Sequence, residues 1–311
     1  MKKKVVVTGA AGFVGHSLVP LLLKNGFQVT AIDKSAHNLL LLKKHNPRVQ
    51  VVGANIALDD NWQHAFRGAD VVIELQARIS SLDKRLFKQD NVVTTQRVVR
   101  EAKKRGVKYL VHVSSSVVKS VADDEYVRTK AEAEKIVKKS GLSYAILRPT
   151  LMYGEHDYKH LGWISRFMQK HAFFPIPGKG KFIRQPLYLG DFCSIILACC
   201  KKRYKNIEYD VTGAEKISYV DLMREIAKAK SLKRTFVKVP VPVFAAAMQA
   251  WALATRKPMF TKDQLKALVA GDVFRVDPWW KKFGVKPTRL HAGLRKVFGK
   301  RDSYVLNELD D

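Results

Sequence analysis

Tyr126 and Lys130 stand four residues apart in the segment Tyr126-Val127-Arg128-Thr129-Lys130, which follows the serine run Ser114-Ser115-Ser116. On a helix, positions i and i+4 share a face, so the ammonium can sit beside the phenol and favour its ionised form. A free tyrosine has a pKa of about 10, too high for ready proton exchange at neutral pH, and a neighbouring cation is a physical route to a usable acid/base. A serine hydroxyl at the carboxyl end of a strand can hold a substrate oxygen beside it. The chemistry these residue types suit is proton transfer at an alcohol or carbonyl oxygen.

A second set lies near the start of the chain, where Thr8-Gly9-Ala10-Ala11-Gly12-Phe13-Val14-Gly15 follows a short apolar run and opens a helical pattern. In such a turn Gly9 permits the tight bend, Gly12 lets the backbone approach a pyrophosphate, and Gly15 lets helix and sheet pack closely. The phosphates then lie at the helix start, against Ala11, Phe13 and Val14. Asp33 ends the next apolar run, 18 residues beyond Gly15, where a carboxylate can accept hydrogen bonds from both ribose hydroxyls of a dinucleotide. NAD is the expected cofactor. NADP is the alternative, because Lys34 directly follows and could neutralise a 2′-phosphate.

Such residues need a scaffold that gathers strand ends. Short β-branched runs at 5–8, 28–33, 49–53, 69–75, 107–114 and 142–147 alternate with helical patterns at 14–24, 36–44, 61–66, 82–105 and 124–139. Turn pairs such as Asn25-Gly26, Arg67-Gly68 and Ser140-Gly141 separate them. Continuous apolar strands suit a parallel sheet covered on both faces, and βαβ repetition is how parallel strands are connected. The expected fold class is therefore α/β, a Rossmann-type doubly wound parallel sheet. After Pro149 the elements shorten, with a Pro/Gly-rich loop at 174–180, helices at 190–200 and 218–228, and a strand near 208–212. The expected division is a dinucleotide-binding domain at 1–152 and a smaller substrate lobe at 153–311, parts of which return to the sheet.

The 311-residue chain is 47% apolar, which fits a globular protein with a sizeable core. Its 56 Lys and Arg against 28 Asp and Glu give a net charge of +28. The excess is +13 over residues 1–150 and +15 over 151–311, so it is no basic tail. A solvated basic surface accounts for it, with an anionic membrane as the partner to test and no specific nucleic-acid reading. Oligomerisation is left open. Three cysteines, Cys193, Cys199 and Cys200, form no C-x-x-C pair, which points to a reducing, cytoplasmic setting. Met1-Lys2-Lys3-Lys4 precedes too few apolar residues for a secretory signal. The longest apolar stretch, Pro242–Thr255, is 14 residues, short of a membrane span. It reads as a buried or partner-covered helix, with an interfacial helix flanked by Arg256 and Lys257 as the alternative. The last residues, Asn307–Asp311, read as a frayed acidic tail.

Other candidates have plainer readings. His156 and His160 are spaced i, i+4 but lack an H-E-x-x-H frame, so a loop at the substrate rim is expected and no metal site. Lys201-Lys202-Arg203 ends a helix, where cations complement the dipole. Trp279-Trp280 reads as core or interface aromatics.

The glycine turn, the serine run, Tyr126 with Lys130, and Leu147-Arg148-Pro149-Thr150-Leu151-Met152-Tyr153-Gly154 together resemble the extended or atypical short-chain dehydrogenases/reductases, the NAD-dependent epimerase/dehydratase group. Arg184-Gln185-Pro186-Leu187-Tyr188-Leu189-Gly190-Asp191 and Tyr209-Asp210-Val211-Thr212-Gly213 extend the likeness to most of the chain. The resemblance implies Ser116 as the catalytic serine, Tyr126 as proton donor/acceptor, and Lys130 as both perturber of Tyr126 and a nicotinamide-ribose ligand. It places Asn55 and Ile56 at the adenine, Leu75, Gln76, Ala77 and Asn91 along the middle of the cofactor path with Ser114, and Pro149, Thr150 and Met152 at the nicotinamide. Arg184 falls where sugar-nucleotide enzymes of the group hold substrate phosphate. Asn55 replaces the group's usual Asp, Glu74 and Gln76 replace its usual His and Ala, and Tyr126 follows Ser116 by only ten residues, which trims the substrate rim. The chain looks most like the atypical branch that includes the nucleotide-binding accessory subunit of respiratory complex I. The expectation is an oxidoreductase or epimerase acting on an apolar ring compound or a sugar nucleotide, the apolar class favoured. The alternative is a non-catalytic NAD-binding scaffold or redox-sensing subunit.

Overall fold

A computed structural model describes residues 2–120, 123–255, 265, 268, 269, 271 and 273–299. Arg256, Lys257 and the tail Asn307–Asp311 lie outside the described residues. The strands of the first half are β1 (Lys4–Thr8), β2 (Gln28–Asp33), β3 (Gln50–Gly53), β4 (Val71–Glu74), β5 (Tyr109–Val113) and β6 (Tyr144–Pro149). They join β11 (Ile207–Val211) in one seven-stranded parallel sheet, in the order β11-β6-β5-β4-β1-β2-β3. Neighbouring residues of β1 show why the strands are apolar throughout: Val5 and Val7 enter the core on one face of the sheet, Val6 the core on the other.

Helices α1 (Phe13–Lys24) and α7 (Leu189–Lys202) cover one face, their Leu18, Leu22, Phe192 and Ile196 packing into the first core. On the other face, α4 (Thr94–Lys104) and α5 (Glu125–Lys138) bring Val98 and Val137 onto Trp62 and Phe66. Helix α2 is Ala36–His45 and α3 is Lys84–Phe87. The pattern read as one helix over 82–105 is broken: a π-helical turn at Lys88–Val93 separates α3 from α4. Cys193, Cys199 and Cys200 are all buried on α7, and burial pushes their thiols above the ordinary range, so they behave as core residues.

The remaining strands are short: β7 (Met152–Tyr153) pairs with β10 (Leu187–Tyr188), β9 (Ile183–Arg184) with β12 (Ile217–Ser218), and β8 (Phe173–Pro177) with β13 (Thr235–Val239). With α6 (Leu161–Lys170), α8 (Tyr219–Ala229), α9 (Val241–Thr255), α10 (Trp279–Phe283) and α11 (Leu290–Phe298) they make the second lobe and its return to the sheet. The lobe's core is built from Tyr153, Phe174, Leu222, Ile226 and Leu294. Trp279 is buried and donates its indole N–H to the Thr212 carbonyl at 2.8 Å, a core role. Lys201 and Lys202 lie in the last turn of α7, and Arg203 just beyond pairs with Asp70. No helix among the described residues is long and apolar enough to cross a membrane.

The order of the sheet sets the site. Strand β1 lies between β2 and β4, so the connections leaving its neighbours run in opposite directions and a crevice opens above their carboxyl ends.

Candidate active site

That crevice is the mouth of one cavity of about 1600 Å³. It runs from the glycine turn, past Ser114–Ser116 and Tyr126, into the second lobe.

At its first end the chain turns through Gly9, whose φ is +67° and whose position no Cβ could share, since one would lie 2.5 Å from the Gln76 nitrogen. A Cβ on Gly15 would lie 2.0 Å from the Ala10 carbonyl oxygen, which is the close packing its spacing predicts. Gly12 is the N-cap of α1 and offers no side-chain cap, and a Cβ there would meet nothing closer than the Gly9 carbonyl at 3.4 Å. The start of α1 therefore presents backbone N–H groups to an open space, which fits a pyrophosphate.

Asp33, at the end of β2, accepts from Ala11 N at 2.9 Å and from Ser35 N at 3.0 Å. Burial pushes its carboxyl above the ordinary range, and these two N–H groups pull it back. Each oxygen keeps a further lone pair for a ribose hydroxyl. Lys34 also lines the cavity, but its ammonium lies 3.1 Å from Asp90, which Arg78 approaches to 2.8 Å. That engagement weighs against its expected role on a 2′-phosphate.

Phe13, Val14, Asn55, Ile56, Leu75, Gln76 and Ala77 line the cavity as expected; Ala11, Gly15, Asn91 and Lys130 do not. Ala11 instead orients Asp33. Asn91 is buried behind the wall, donating to the Arg78 carbonyl at 3.1 Å and to Thr129 at 3.0 Å while accepting from Arg78 N at 2.7 Å. Its amide is used up in joining the loop after β4 to α5. Glu74 and Gln76, the departures from the family pattern, form a buried chain: Thr8 donates to Gln76 at 2.5 Å, Gln76 to Glu74 at 2.6 Å, Thr95 to Glu74 at 2.5 Å, and His112 Nδ1 meets Glu74 at 2.6 Å. Burial alone would raise the Glu74 carboxyl, but the charge and hydrogen bond of His112, with the Thr95 hydroxyl, hold it below the usual range.

Helix α5 begins at an Asp124 cap, whose carboxylate accepts from Val127 N at 2.9 Å, and this fixes Tyr126 over the end of β5. The hydroxyl that hydrogen-bonds the phenol belongs to Ser115, not to Ser116. The chain leaves β5 through a 3-10 turn at Ser116–Lys119, capped by the Ser115 side chain, and this turn brings Ser115 to the phenol while burying Ser116 in the cavity wall beside Ser114. Burial pushes the Tyr126 phenol above its ordinary value, with the Ser115 hydrogen bond pulling the other way.

The Lys130 ammonium bonds the backbone at the end of β5. It is buried and donates to the Val113 carbonyl at 2.8 Å, and burial pushes it down to about 8 against the pull of Glu74 and Glu134. The folded chain therefore releases this proton earlier than the unfolded chain. Stability from this group rises as pH increases from about 8 towards 10.5, a gain on the order of 3 kcal/mol. Urea unfolding of wild type and Lys130→Met at pH 8 and pH 10 checks this: the rise is expected in wild type and absent in the variant.

Pro149, Thr150 and Met152 form the next part of the wall. Thr150 is fixed by donating to the Gln185 carbonyl at 2.6 Å and accepting from Gly213 N at 3.0 Å. Arg184 reaches the cavity from β9 and donates to the Leu268 carbonyl. Asp157 accepts from the backbone N–H groups of His160 and Gly162 and so caps α6, while His156 packs against His16 with ring centroids 5.5 Å apart.

The far end of the cavity holds residues that sequence reasoning did not assign to the site: Trp163, Phe167, Phe174, Phe244, Met248 and Trp251. The uncharged stretch at 241–255 was the one visible signal for Phe244, Met248 and Trp251. Ser115 was visible only as the middle member of its run.

The model of the NAD dependent epimerase/dehydratase family matches residues 5–211. The chain is 25% identical over 271 residues to the UDP-glucose 4-epimerase of Vibrio cholerae, covering 78% of this chain and 80% of that protein. It is 26% identical over 310 residues to the mitochondrial NADH dehydrogenase [ubiquinone] 1 alpha subcomplex subunit 9 of Mus musculus, covering 96% of this chain and 80% of that protein. Among solved structures, MoeE5 in complex with UDP-glucuronic acid and NAD superposes with a TM-score of 0.74 at 20% identity, covering 95% of this chain and 97% of that one. The glycine turn, the uncapped start of α1 and Asp33 fit the dinucleotide for which the family is named. The chain belongs to the NAD dependent epimerase/dehydratase family.

Proposed function

We propose that this protein is an NAD-dependent oxidoreductase that transfers hydride at the alcohol or carbonyl carbon of an apolar substrate. The observation that carries the reading is the single cavity joining the glycine turn to the Tyr126 phenol and then to an aromatic chamber. Bound NAD supplies the hydride acceptor or donor. Asp33 would hold the adenosine ribose and the start of α1 the pyrophosphate. Tyr126 moves the proton at the substrate oxygen, and Ser115 orients both groups by its hydrogen bond to the phenol. A phenol can donate its proton to a carbonyl oxygen, so reduction is the direction assayed. The chamber of Trp163, Phe167, Phe174 and Met248 suits a hydrophobic body better than a sugar nucleotide.

The test begins with thermal shift. NAD(H) is expected to stabilise the protein more than NADP(H), and Asp33→Asn to weaken NADH binding about tenfold, or ~1.4 kcal/mol. Equal stabilisation by NADP(H) overturns the role given to Asp33. NADH oxidation is then followed with medium- and long-chain ketones beside UDP-sugars. Turnover of UDP-sugars alone overturns the apolar substrate class. Stabilisation by NADH without turnover of either favours the second reading, a nucleotide-holding subunit, to which the similarity with the mouse NADH dehydrogenase subunit lends support.

A further inference from the structure

The basic charge, evenly divided between the halves of the chain, is not evenly placed in the fold. Residues 158–190 contain Lys159, Arg166, Lys170, Lys179, Lys181 and Arg184 and no Asp or Glu. Residues 226–255 contain Lys228, Lys230, Lys233, Arg234 and Lys238 and again no acid. The parallel pairing of β8 with β13, from Phe173 opposite Thr235 to Pro177 opposite Val239, joins these two acid-free segments in one wall of the second lobe. Lys170, Lys179, Lys181, Lys228, Lys233 and Lys238 of these two segments are exposed.

Among these cations lie large apolar side chains open to solvent: Phe173 is 65% exposed, Val243 57%, Val237 43% and Trp251 41%. Two of the four are on α9, whose 15 residues include no charged side chain. Its Phe244, Ala247, Met248 and Trp251 recur at i, i+3, i+4 and i+7 and line the cavity. Pro242, Val243, Ala246 and Ala250 are exposed, so the helix is apolar on its outward side as well. The helix is held along the far end of the cavity, its Val241 beside the turn at Gly178 and its Trp251 ring 6.3 Å from that of Trp163. An uncharged helix with an apolar outward side belongs in an apolar medium, and here the cations of the two segments say which.

We propose that this face docks on an anionic lipid bilayer, with α9 lying in the interfacial plane, Phe173 and Val243 inserted, and the surrounding lysines on the headgroups. Charge complementarity selects the partner: the two segments that form this wall carry no carboxylate to be repelled by anionic lipid, and the uncharged helix within them gains by leaving water. Trp251 is suited to the same boundary. A phosphate polymer would find the lysines but gain nothing from Phe173 and Val243. Docked in this way, α9 sets the far end of the cavity against the bilayer, where an apolar substrate is most concentrated. The docking itself does not depend on turnover.

The test is co-flotation of the full chain with phosphatidylcholine vesicles containing phosphatidylglycerol, against vesicles of phosphatidylcholine alone. The variant is Phe173→Glu with Val243→Glu, two exposed positions outside the cavity lining, so fold and NADH stabilisation serve as controls. Binding to the anionic vesicles is expected, at least about tenfold weaker to the neutral ones and about tenfold weaker for the double variant, with salt reducing it but not abolishing it. No binding to either vesicle overturns the proposal. So does binding that the double variant leaves unchanged and salt abolishes, which is diffuse attraction of a basic protein. Self-association lost in the double variant without vesicle binding likewise overturns it, making the face an interface between copies.

Discussion

Tyr126→Phe is expected to lower kcat by about 10²–10⁴-fold while leaving the affinity for NADH within about threefold of wild type. The phenol touches the cavity where hydride transfer would occur, and Ser115 is the group that holds it there. Removing the hydroxyl removes the proton carried to the substrate oxygen but not the glycine turn or Asp33. Ser115→Ala is expected to cost less than Tyr126→Phe, and Ser116→Ala less again, because Ser116 makes no bond to the phenol. The ratio of those two serine variants, measured as kcat with the substrate found in the ketone screen, separates the structural assignment from the one the family pattern implied. A Tyr126→Phe protein with undiminished turnover would remove the phenol from the mechanism.

Arg148→Met is the substitution with the largest expected effect on stability. Arg148 is buried at the end of β6, where its guanidinium donates to Glu134 of α5 at 2.7 and 2.5 Å and to Glu208 of β11 at 2.5 Å. It ties the helix that carries Tyr126 and Lys130 to two strands of the sheet. Burial by itself would raise the Glu134 carboxyl, but the Arg148 hydrogen bonds and charge hold it below the ordinary range. Taking away the arginine strands Glu134 in the interior, a loss of about 3–5 kcal/mol and roughly 10 °C in Tm. The double variant Arg148→Met with Glu134→Leu is expected to recover most of that loss, since no unpaired charge remains. The pH dependence has a definite sign. A carboxyl with a depressed folded-state pKa contributes stability above its ordinary pKa, and loses it as pH falls through the depressed value. Wild type and Arg148→Met should therefore converge in stability towards acid pH. A single variant within about 1 kcal/mol of wild type at pH 7 would show that the network does not anchor α5.

The parallel sheet was legible because its strands are buried on both faces and so read as unbroken runs. The run at 28–33 coincides with β2, and the pattern at 124–139 contains α5. The helix read over 82–105 was not resolved into its parts, because a π-helical turn keeps the same residue types and shifts only the hydrogen-bond partner. The glycine turn and Asp33 were legible for a local reason: a positive φ, a backbone approach and a strand-end carboxylate are set within a few residues of each other. Ser115 was hidden inside a run of identical residues, since only the 3-10 turn after β5 decides which serine meets the phenol. The partner of Lys130 was equally hidden. Helical spacing places Lys130 on the face of Tyr126, but its ammonium donates to the Val113 carbonyl.

By itself, then, the amino-acid sequence determined the doubly wound sheet, the dinucleotide turn and the residue types available for proton transfer, because each is written in the periodicity or spacing of residues close together along the chain. Only the tertiary structure decided which serine reaches Tyr126, what Glu74 and Gln76 do beneath it, and that two acid-free segments far apart in the chain share one wall through β8 and β13. Those are long-range contacts, whose partners are chosen by packing and desolvation and not by spacing.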